Sequence, residues 1–367
     1  MAMMLAQNGR SASNDLQQED NCMNAEVKNR GLTEQPKVTI AIPTYNRAVF
    51  LTEALNSALG QTYTNLEVIV SDNASTDDTL QRLKDYHDDR LIVIRQETNL
   101  GMIGNLNACV MKASGEFFIL LSDDDFLEPT AIQEMVEVFQ YGKAGVDRSK
   151  IGMVYCKSRI VDTVGAIIGY GRHGPELESA ASIITHFFRR KRSIFPGSVM
   201  IRTLDLQSLG GYDSSKNFSL IADAKAWMPI VMKRGIAAYI DKELTNYRIH
   251  TSNVSFTARI GEWISNNNNL AAMCIGEFLN EGDYRSAKAI KRLIHSFNAN
   301  AISSLILRSF DGTKNKTNGV KQYIFYSKYF FSPCGFFLIF KGITIIYMPK
   351  VVTTKIKKLL LAVQAKS

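Results

Sequence analysis

Three consecutive carboxylates, Asp123-Asp124-Asp125, close the apolar run Phe117-Phe118-Ile119-Leu120-Leu121. Adjacent like charges repel, so a fold keeps them together only where water, a cation or basic groups answer them. Two chemistries fit. The triplet either caps a helix starting near Pro129, as aspartate before a helix commonly does, or holds a divalent cation at the carboxyl end of a buried strand, where open α/β sheets bind ligands. Polar clusters also follow other short apolar runs: Pro43-Thr44-Tyr45-Asn46-Arg47 after residues 38–42, Ser71-Asp72-Asn73-Ala74 after 66–70, and residues 96–99 after 91–94.

These clusters need elements to position them. Leu51, Ala54, Leu55 and Ala58 recur at helical spacing, Ser75-Thr76-Asp77-Asp78 reads as a capped helix start, and residues 102–112 read as a helix reached through Asn99-Leu100-Gly101. Strand, turn and helix alternating four times predict an α/β layer with a parallel sheet. Strand carboxyl ends in such a layer share one rim, which sets the aspartates beside Asp72 and the 43–47 turn and favours the cation over the cap. Further on, 151–156 reads as a strand, 159–164 with 166–170 as a hairpin around Gly165, and 180–190 as a helix. The helix ends in Arg189-Arg190-Lys191-Arg192, a solvated end with anion contact as the lesser alternative. Residues 222–233 predict a helix opened by Ala222-Asp223. Two strands, 236–240 and 244–249, lead to His250, and two long helices follow over 258–307.

The chain has 367 residues, 46% of them hydrophobic, enough for a sizeable core. Its five cysteines are scattered without a C-x-x-C pair, which argues against a disulfide scaffold or zinc cluster and for a reducing compartment. Residues 1–36 are polar, lack the apolar centre of a signal peptide and read as a disordered tail. The net charge of +8 is regional: ten lysines and no acid follow Asp311, more than accounting for it. The body is therefore slightly acidic, and no nucleic-acid footprint is indicated. Residues 313–367 form a basic, aromatic, amphipathic segment. Its apolar run 335–348 carries Lys341 and falls short of the roughly 20 residues that span a bilayer. The pattern suits an anionic membrane surface, the alternative being a core helix with a basic solvent face.

Taken together, Pro43-Thr-Tyr-Asn46, Ser71-Asp-Asn-Ala-Ser-Thr-Asp77, Asn99-Leu-Gly101 with Asn107, Gly115-Glu116, Leu121-Ser-Asp-Asp-Asp125, Gly210-Gly-Tyr-Asp213, Ala222-Asp223 with Trp227, and Tyr247-Arg-Ile-His250 resemble the family 2 glycosyltransferases. The resemblance runs from about residue 38 to 252. It implies a GT-A fold, a Rossmann-like, mostly parallel sheet flanked by helices, over 37–256, with a C-terminal helical extension over 257–312. It implies inverting transfer of a hexosyl or deoxyhexosyl group from a nucleotide-diphosphate sugar to a glycan or lipid-linked glycan acceptor, in surface polysaccharide synthesis of O-antigen or capsule type. The expected place is the cytoplasm, peripherally on the inner face of the plasma membrane.

The same resemblance assigns roles. Pro43, Thr44, Tyr45, Asn46, Arg47, Asp72, Asn73, Asn99, Gly101, Asn107, Asp123 and Asp124 would bind donor. Asp123, Asp124, Asp125 and His250 would hold a divalent cation, Mn2+ or Mg2+. Asp123 and Asp125 fit a D-x-D element literally, whereas alignment to the commoner L-D-x-D-D string puts Ser122 at its first acid and Asp124 at the metal. Asp223 would be the base that deprotonates the acceptor hydroxyl, with Asp213 as fallback; the structural alternative is a helix N-terminal acid favoured by the dipole. The chain departs from many relatives in reading D-N-A-S at 72–75 for D-D-G-S, and in having Leu106 where Arg frequently precedes Asn107. A non-catalytic nucleotide- or glycan-binding module on the same fold is the alternative. A nicotinamide-binding fold is disfavoured, since no G-x-G-x-x-G follows the first strand.

Overall fold

Apolar runs too short for helices and bounded by polar turns become strands here. β1 (Val38–Thr44), β2 (Leu66–Asp72), β3 (Leu91–Arg95) and β4 (Phe117–Leu120) alternate with helices α1 (Ala48–Leu59), α2 (Thr79–Lys84) and α3 (Gly101–Lys112). The computed structural model describes residues 35–309 except 144, 251–252 and 254–257. The expected tail over 1–36 falls almost wholly, and the basic aromatic segment over 313–367 wholly, outside the described residues.

The chain continues through β5 (Phe126–Leu127), α4 (Ala131–Tyr141), β6 (Ile151–Val161), β7 (Ile167–Tyr170), β8 (Leu177–Ser179), α5 (Ala180–Phe188), β9 (Val199–Arg202), α6 (Thr203–Ser208), α7 (Ala222–Arg234) and β10 (Ile236–Arg248). Helices α8 (Ile260–Asn280) and α9 (Tyr284–Ser309) form the C-terminal extension. One sheet runs in the order β3-β2-β1-β4-β9-β6-β10-β5, with β7 beside β6 and β8 beside β10. Its long ladders, β1 with β2 and β6 with β10, are parallel, while β9 joins the two halves through short antiparallel ladders.

Apolar side chains alternate between the two sheet faces. Ile40, Ile42, Val68 and Ile119 pack under α1 and α4, whereas Ala41, Ile69, Phe118 and Leu120 pack under α3 and α7. The stripe Ala48, Leu51, Ala54, Leu55 and Ala58 is the buried side of α1. The extension seats Leu270, Cys274 and Phe278 of α8 against the same core as Trp227. Phe297 of α9 meets Phe187 and Phe188 there, with ring centroids 5.5 and 5.3 Å apart.

Two expectations are corrected. The pairs of strands predicted over 151–164 and 236–249 are single strands, β6 and β10, the latter bulged near Glu243. Polar residues that look like turns are carried within the ladder, because Lys157 pairs with Glu243 at 2.6 Å and Ser158 Oγ bonds Thr245 Oγ1 at 2.7 Å. The basic quartet is solvated only in part. Arg189 and Lys191 are exposed, but the Arg192 guanidinium is buried against Glu178.

The rim opposite the site is closed by one buried acid. Glu67 accepts hydrogen bonds from Thr39 Oγ1 (2.6 Å) and from the Ser114 backbone N–H and hydroxyl (2.7 Å each), and pairs with Lys37 at 2.6 Å. Gly115 is required beside it, since a Cβ there would lie 2.6 Å from the Thr39 nitrogen. Burial opposes ionisation of Glu67, but these donors outweigh it and lower its pKa to about 2. A folded-state pKa below the unfolded value gives stability that is present above the unfolded pKa and is lost as pH falls through the folded one. Urea unfolding free energy is therefore expected to drop between about pH 4.5 and about pH 2, with Glu67 contributing about 3 kcal/mol of the fall. Glu67→Gln should flatten that part of the curve; an unchanged slope would remove Glu67 as its cause.

Candidate active site

The carboxyl ends of β1 to β4 lie on one rim, with Thr44 opposite Asp72 and Asp72 opposite Arg95 in the ladders. The turn after β1 is clamped to the turn after β2. Asn46, at φ +53°, receives the Thr76 N–H on its Oδ1 (2.8 Å), and its own N–H donates to Ser75 Oγ (2.9 Å). Asp77 accepts the N–H groups of Thr79 (3.0 Å) and Ala48 (3.2 Å), so one carboxylate caps both α2 and α1. Pro43 is half-buried and Tyr45 is exposed at the mouth of this turn.

Asp72 is fully buried and both its oxygens are engaged, Oδ1 by the Ser75 N–H and Oδ2 by Arg95, at 2.9 Å each. Asn73 ties the tip of β2 to the start of α3. Its amide donates to Asn99 Oδ1 (2.9 Å) and Gly101 O (3.2 Å), and its Oδ1 accepts the Leu100 N–H (2.8 Å). Asn107 lies farther along α3 and is spent on the protein itself: it donates to Tyr212 O (2.9 Å) and accepts the Tyr212 N–H (2.8 Å).

The three aspartates go three ways. Asp123 Oδ2 accepts the Thr44 hydroxyl at 2.7 Å. Asp124 Oδ2 gathers Arg47 Nη1 (2.9 Å), His250 Nε2 (2.8 Å) and Asn253 Nδ2 (3.1 Å). Asp125 Oδ1 accepts the Arg248 backbone N–H at 2.8 Å, at the end of β10. The His250 ring stacks on Phe50 with centroids 4.9 Å apart. Arg248 completes the clasp. Its Nε donates to Asp124 O (2.9 Å), its Nη1 to Asp162 O and Thr163 O (3.1 Å each), and its Nη2 to Glu53.

Burial, then the neighbouring charge of Asp124, pushes the Asp123 and Asp125 carboxyls above the usual carboxylate range. Negative charge is thus crowded where little water reaches, and a hard divalent cation with oxygen preference would relieve it. Asp123, Asp124 and His250 fit such an ion by donor chemistry. Among the described residues no three His, Cys, Asp or Glu side chains are arranged to hold one, and Arg47 faces Asp124 instead.

Asp223 stands in the first turn of α7, half-buried in a pocket lined by Phe118, Leu120, Phe195, Tyr212 and Trp227. Phe195 stacks on Tyr247, centroids 4.2 Å apart, which connects this pocket to the strand that delivers Arg248. Burial raises the Asp223 pKa against the backbone donors of the helix terminus. Asp213 differs: despite some burial, hydrogen bonding to Ser215, with help from Lys225, lowers its pKa. A carboxylate raised by burial is the better proton acceptor of the two.

Residues 39–168 match the family model Glycosyl transferase family 2. This stretch of the chain is similar to that family. The chain is 32% identical over 167 residues to a hyaluronan synthase of Pasteurella multocida, covering 44% of this chain and 17% of that protein. It therefore spans only a small part of that relative. Among solved structures it is similar to S. aureus TarS 1-349 in complex with UDP-GlcNAc, at TM-score 0.53 and 18% identity, covering 84% of this chain and 90% of that one. It is also similar to the mannosyltransferase PcManGT from Pyrobaculum calidifontis in complex with GDP-Man and Mn2+, at TM-score 0.53 and 16% identity, covering 87% and 89%. These likenesses show that the chain has the GT-A fold, a mixed, mostly parallel sheet flanked by helices.

Sequence reasoning missed Arg248, Arg95 and Asn253. An arginine set between Tyr247 and Ile249 where a strand ends was the available signal for Arg248, since a buried guanidinium needs acids and carbonyls around it. Nothing local marks Arg95, whose partner Asp72 is 23 residues away; Asn253 accepts the His250 N–H nearby, but its amide reaches Asp124, 129 residues away.

Proposed function

We propose that this protein is an inverting, metal-dependent glycosyltransferase that moves a hexosyl or deoxyhexosyl group from a nucleotide-diphosphate donor to a glycan acceptor in surface polysaccharide synthesis. The observation that carries the reading is the convergence of Thr44, Arg47, Asp123, Asp124 and His250 on the carboxyl rim of the sheet. The hyaluronan synthase relative supports the polysaccharide setting. The nucleotide-sugar complexes of the two solved structures support the donor class, and the Mn2+ of the mannosyltransferase supports the cation.

In this reading the nucleoside lies against the 43–46 turn and the Asp72–Arg95 pair, and the Asn73, Asn99 and Gly101 cluster shapes the floor. Asp123 and Asp124, with His250, would hold Mn2+ or Mg2+, which supplies charge neutralisation for the departing diphosphate. Arg47, within reach of Asp124, turns its positive charge toward the phosphates. Asp125 keeps the loop on β10. Asp223 takes the proton of the attacking hydroxyl, and one base acting on one displacement inverts the anomeric centre.

No helix among the described residues is long and apolar enough to cross a membrane. The lysine-rich segment over 313–367 would hold the enzyme peripherally on an anionic inner membrane face, near a lipid-linked acceptor. A non-catalytic nucleotide-binding module is the second reading, favoured by the Arg47–Asp124 ion pair across the rim. A panel of UDP-, GDP- and dTDP-sugars, scored by nucleotide release with and without chelator, separates the two. Release from one donor that stops with EDTA and returns with Mn2+ is expected; binding without turnover under any metal would leave the module.

A further inference from the structure

Beside the Asp223 pocket lies a second, polar cavity of about 260 Å³, walled by Asn107, Gly211, Tyr212, Asp213, Ser214 and Lys225. Tyr212 lines both recesses, so they share a wall. We propose that this cavity is an acceptor subsite for a neutral sugar residue, the one adjoining the residue that presents its hydroxyl to Asp223. The proposal rests on the glycosyltransferase reading and extends it to the acceptor.

The size is right for one ring. At roughly 30 Å³ per water the cavity has room for about nine waters, comparable with the dozen or so heavy atoms of a pyranose. The chemistry is right for hydroxyls. The Asp213 carboxylate can accept from them, and the Lys225 ammonium, held 5.4 Å over the Phe218 ring, can donate to their oxygens. One charge of each sign suits a neutral, polyhydroxylated ligand better than a phosphate, which Asp213 would repel.

The walls are braced at both ends, so the recess is built in advance of its ligand. At one end Asn107 grips the Tyr212 backbone through two hydrogen bonds. Gly211 permits that grip twice over: its φ is +82°, and a Cβ there would come within 2.5 Å of Asn107 Oδ1. At the other end α8 holds the loop that leads to α7. Buried Asn266 accepts the Leu220 N–H (2.9 Å) and donates to Lys216 O (3.2 Å), and Asn269 donates to Asn217 O (3.3 Å). The C-terminal extension thereby braces the loop that runs from the cavity wall at Ser214 to α7. Pre-organised walls lower the ordering cost of binding.

The test is saturation-transfer NMR on the full chain with glucose, galactose, N-acetylglucosamine and glucuronic acid as methyl glycosides, and with cellobiose, lactose and N,N′-diacetylchitobiose. At least one neutral disaccharide is expected to receive saturation on both rings. Ser214→Trp, which fills the cavity from an exposed position, should abolish transfer to one ring. Lys225→Ala, the milder change, should weaken binding about tenfold, the loss of a charged hydrogen bond. Thermal melts of both variants establish that they are folded. No transfer to any neutral sugar, transfer to glucuronic acid alone, or transfer that persists in folded Ser214→Trp would overturn the subsite. Nucleotide release from the donor panel is scored separately. If it occurs while the sugars fail, the subsite falls and the glycosyltransferase reading stands; if it fails while sugars bind in the predicted way, the glycosyltransferase reading falls and the acceptor role with it, leaving the cavity a sugar-binding site only.

Discussion

Asp223→Asn is expected to lower glycosyl transfer by about a thousandfold, the middle of the range for a positioned general base. The amide has the shape of the carboxylate but cannot take the acceptor proton. Nucleotide binding should be nearly unchanged, because Asp223 lies in the pocket with Tyr212 and Trp227 and not among the groups gathered at Asp124. The pH profile supplies an independent readout. Burial raises the Asp223 pKa, so the acid limb of kcat should lie above the ordinary carboxylate range, with activity lost as falling pH protonates the base. That limb should vanish in the residual activity of Asp223→Asn. Asp213→Asn should retain most of kcat at saturating acceptor, its loss falling on the acceptor KM, since Asp213 is held ionised by Ser215 and is the weaker base. Equal losses in the two variants would reassign the base.

The second large effect belongs to a residue whose side chain is committed to the protein itself. Arg248→Ala is expected to destabilise the fold by about 3–4 kcal/mol, read from the urea midpoint at constant m. The Arg248 side chain is 2% exposed and serves three backbone carbonyls and Glu53, while its guanidinium sits 5.4 and 5.3 Å from the centres of the Phe50 and Phe126 rings. Truncation strips the Asp124, Asp162 and Thr163 carbonyls of their donor and empties the space between the rings. Arg248→Lys should recover little, because an ammonium cannot reproduce a planar fork that reaches several acceptors at once. Recovery to within 1 kcal/mol by lysine would show that charge alone, rather than geometry, is what the site needs.

How far the sequence carried depended on whether a residue's partner was local. The strands β1 to β4 and the helices between them were legible, since periodicity and turn chemistry are properties of neighbours. The rim cluster followed from the rule that parallel strands end together. What could not be read was the division of labour inside Asp123-Asp124-Asp125, because Thr44, His250 and Arg248 choose between three chemically identical side chains from across the fold. Asn107 illustrates the same limit. The family resemblance implies donor contact for it, and no local pattern marks that its amide grips Tyr212, 105 residues later. The bulged strand β10 failed for another reason: Asp241-Lys242-Glu243 has turn composition, and only the cross-strand Lys157 reveals why it stays extended.

The clasp also governs how the molecule can breathe. β1 and β4 belong to one half of the sheet and β10 to the other, and three peptide-linked residues are fastened to both: Asp123 to Thr44, Asp124 to Arg47 and His250, Asp125 to Arg248. The two halves therefore cannot swing apart like the covers of a book without breaking adjacent contacts in the same instant. Any opening that keeps these contacts is confined to the loops along the rim, over an axle that does not itself turn.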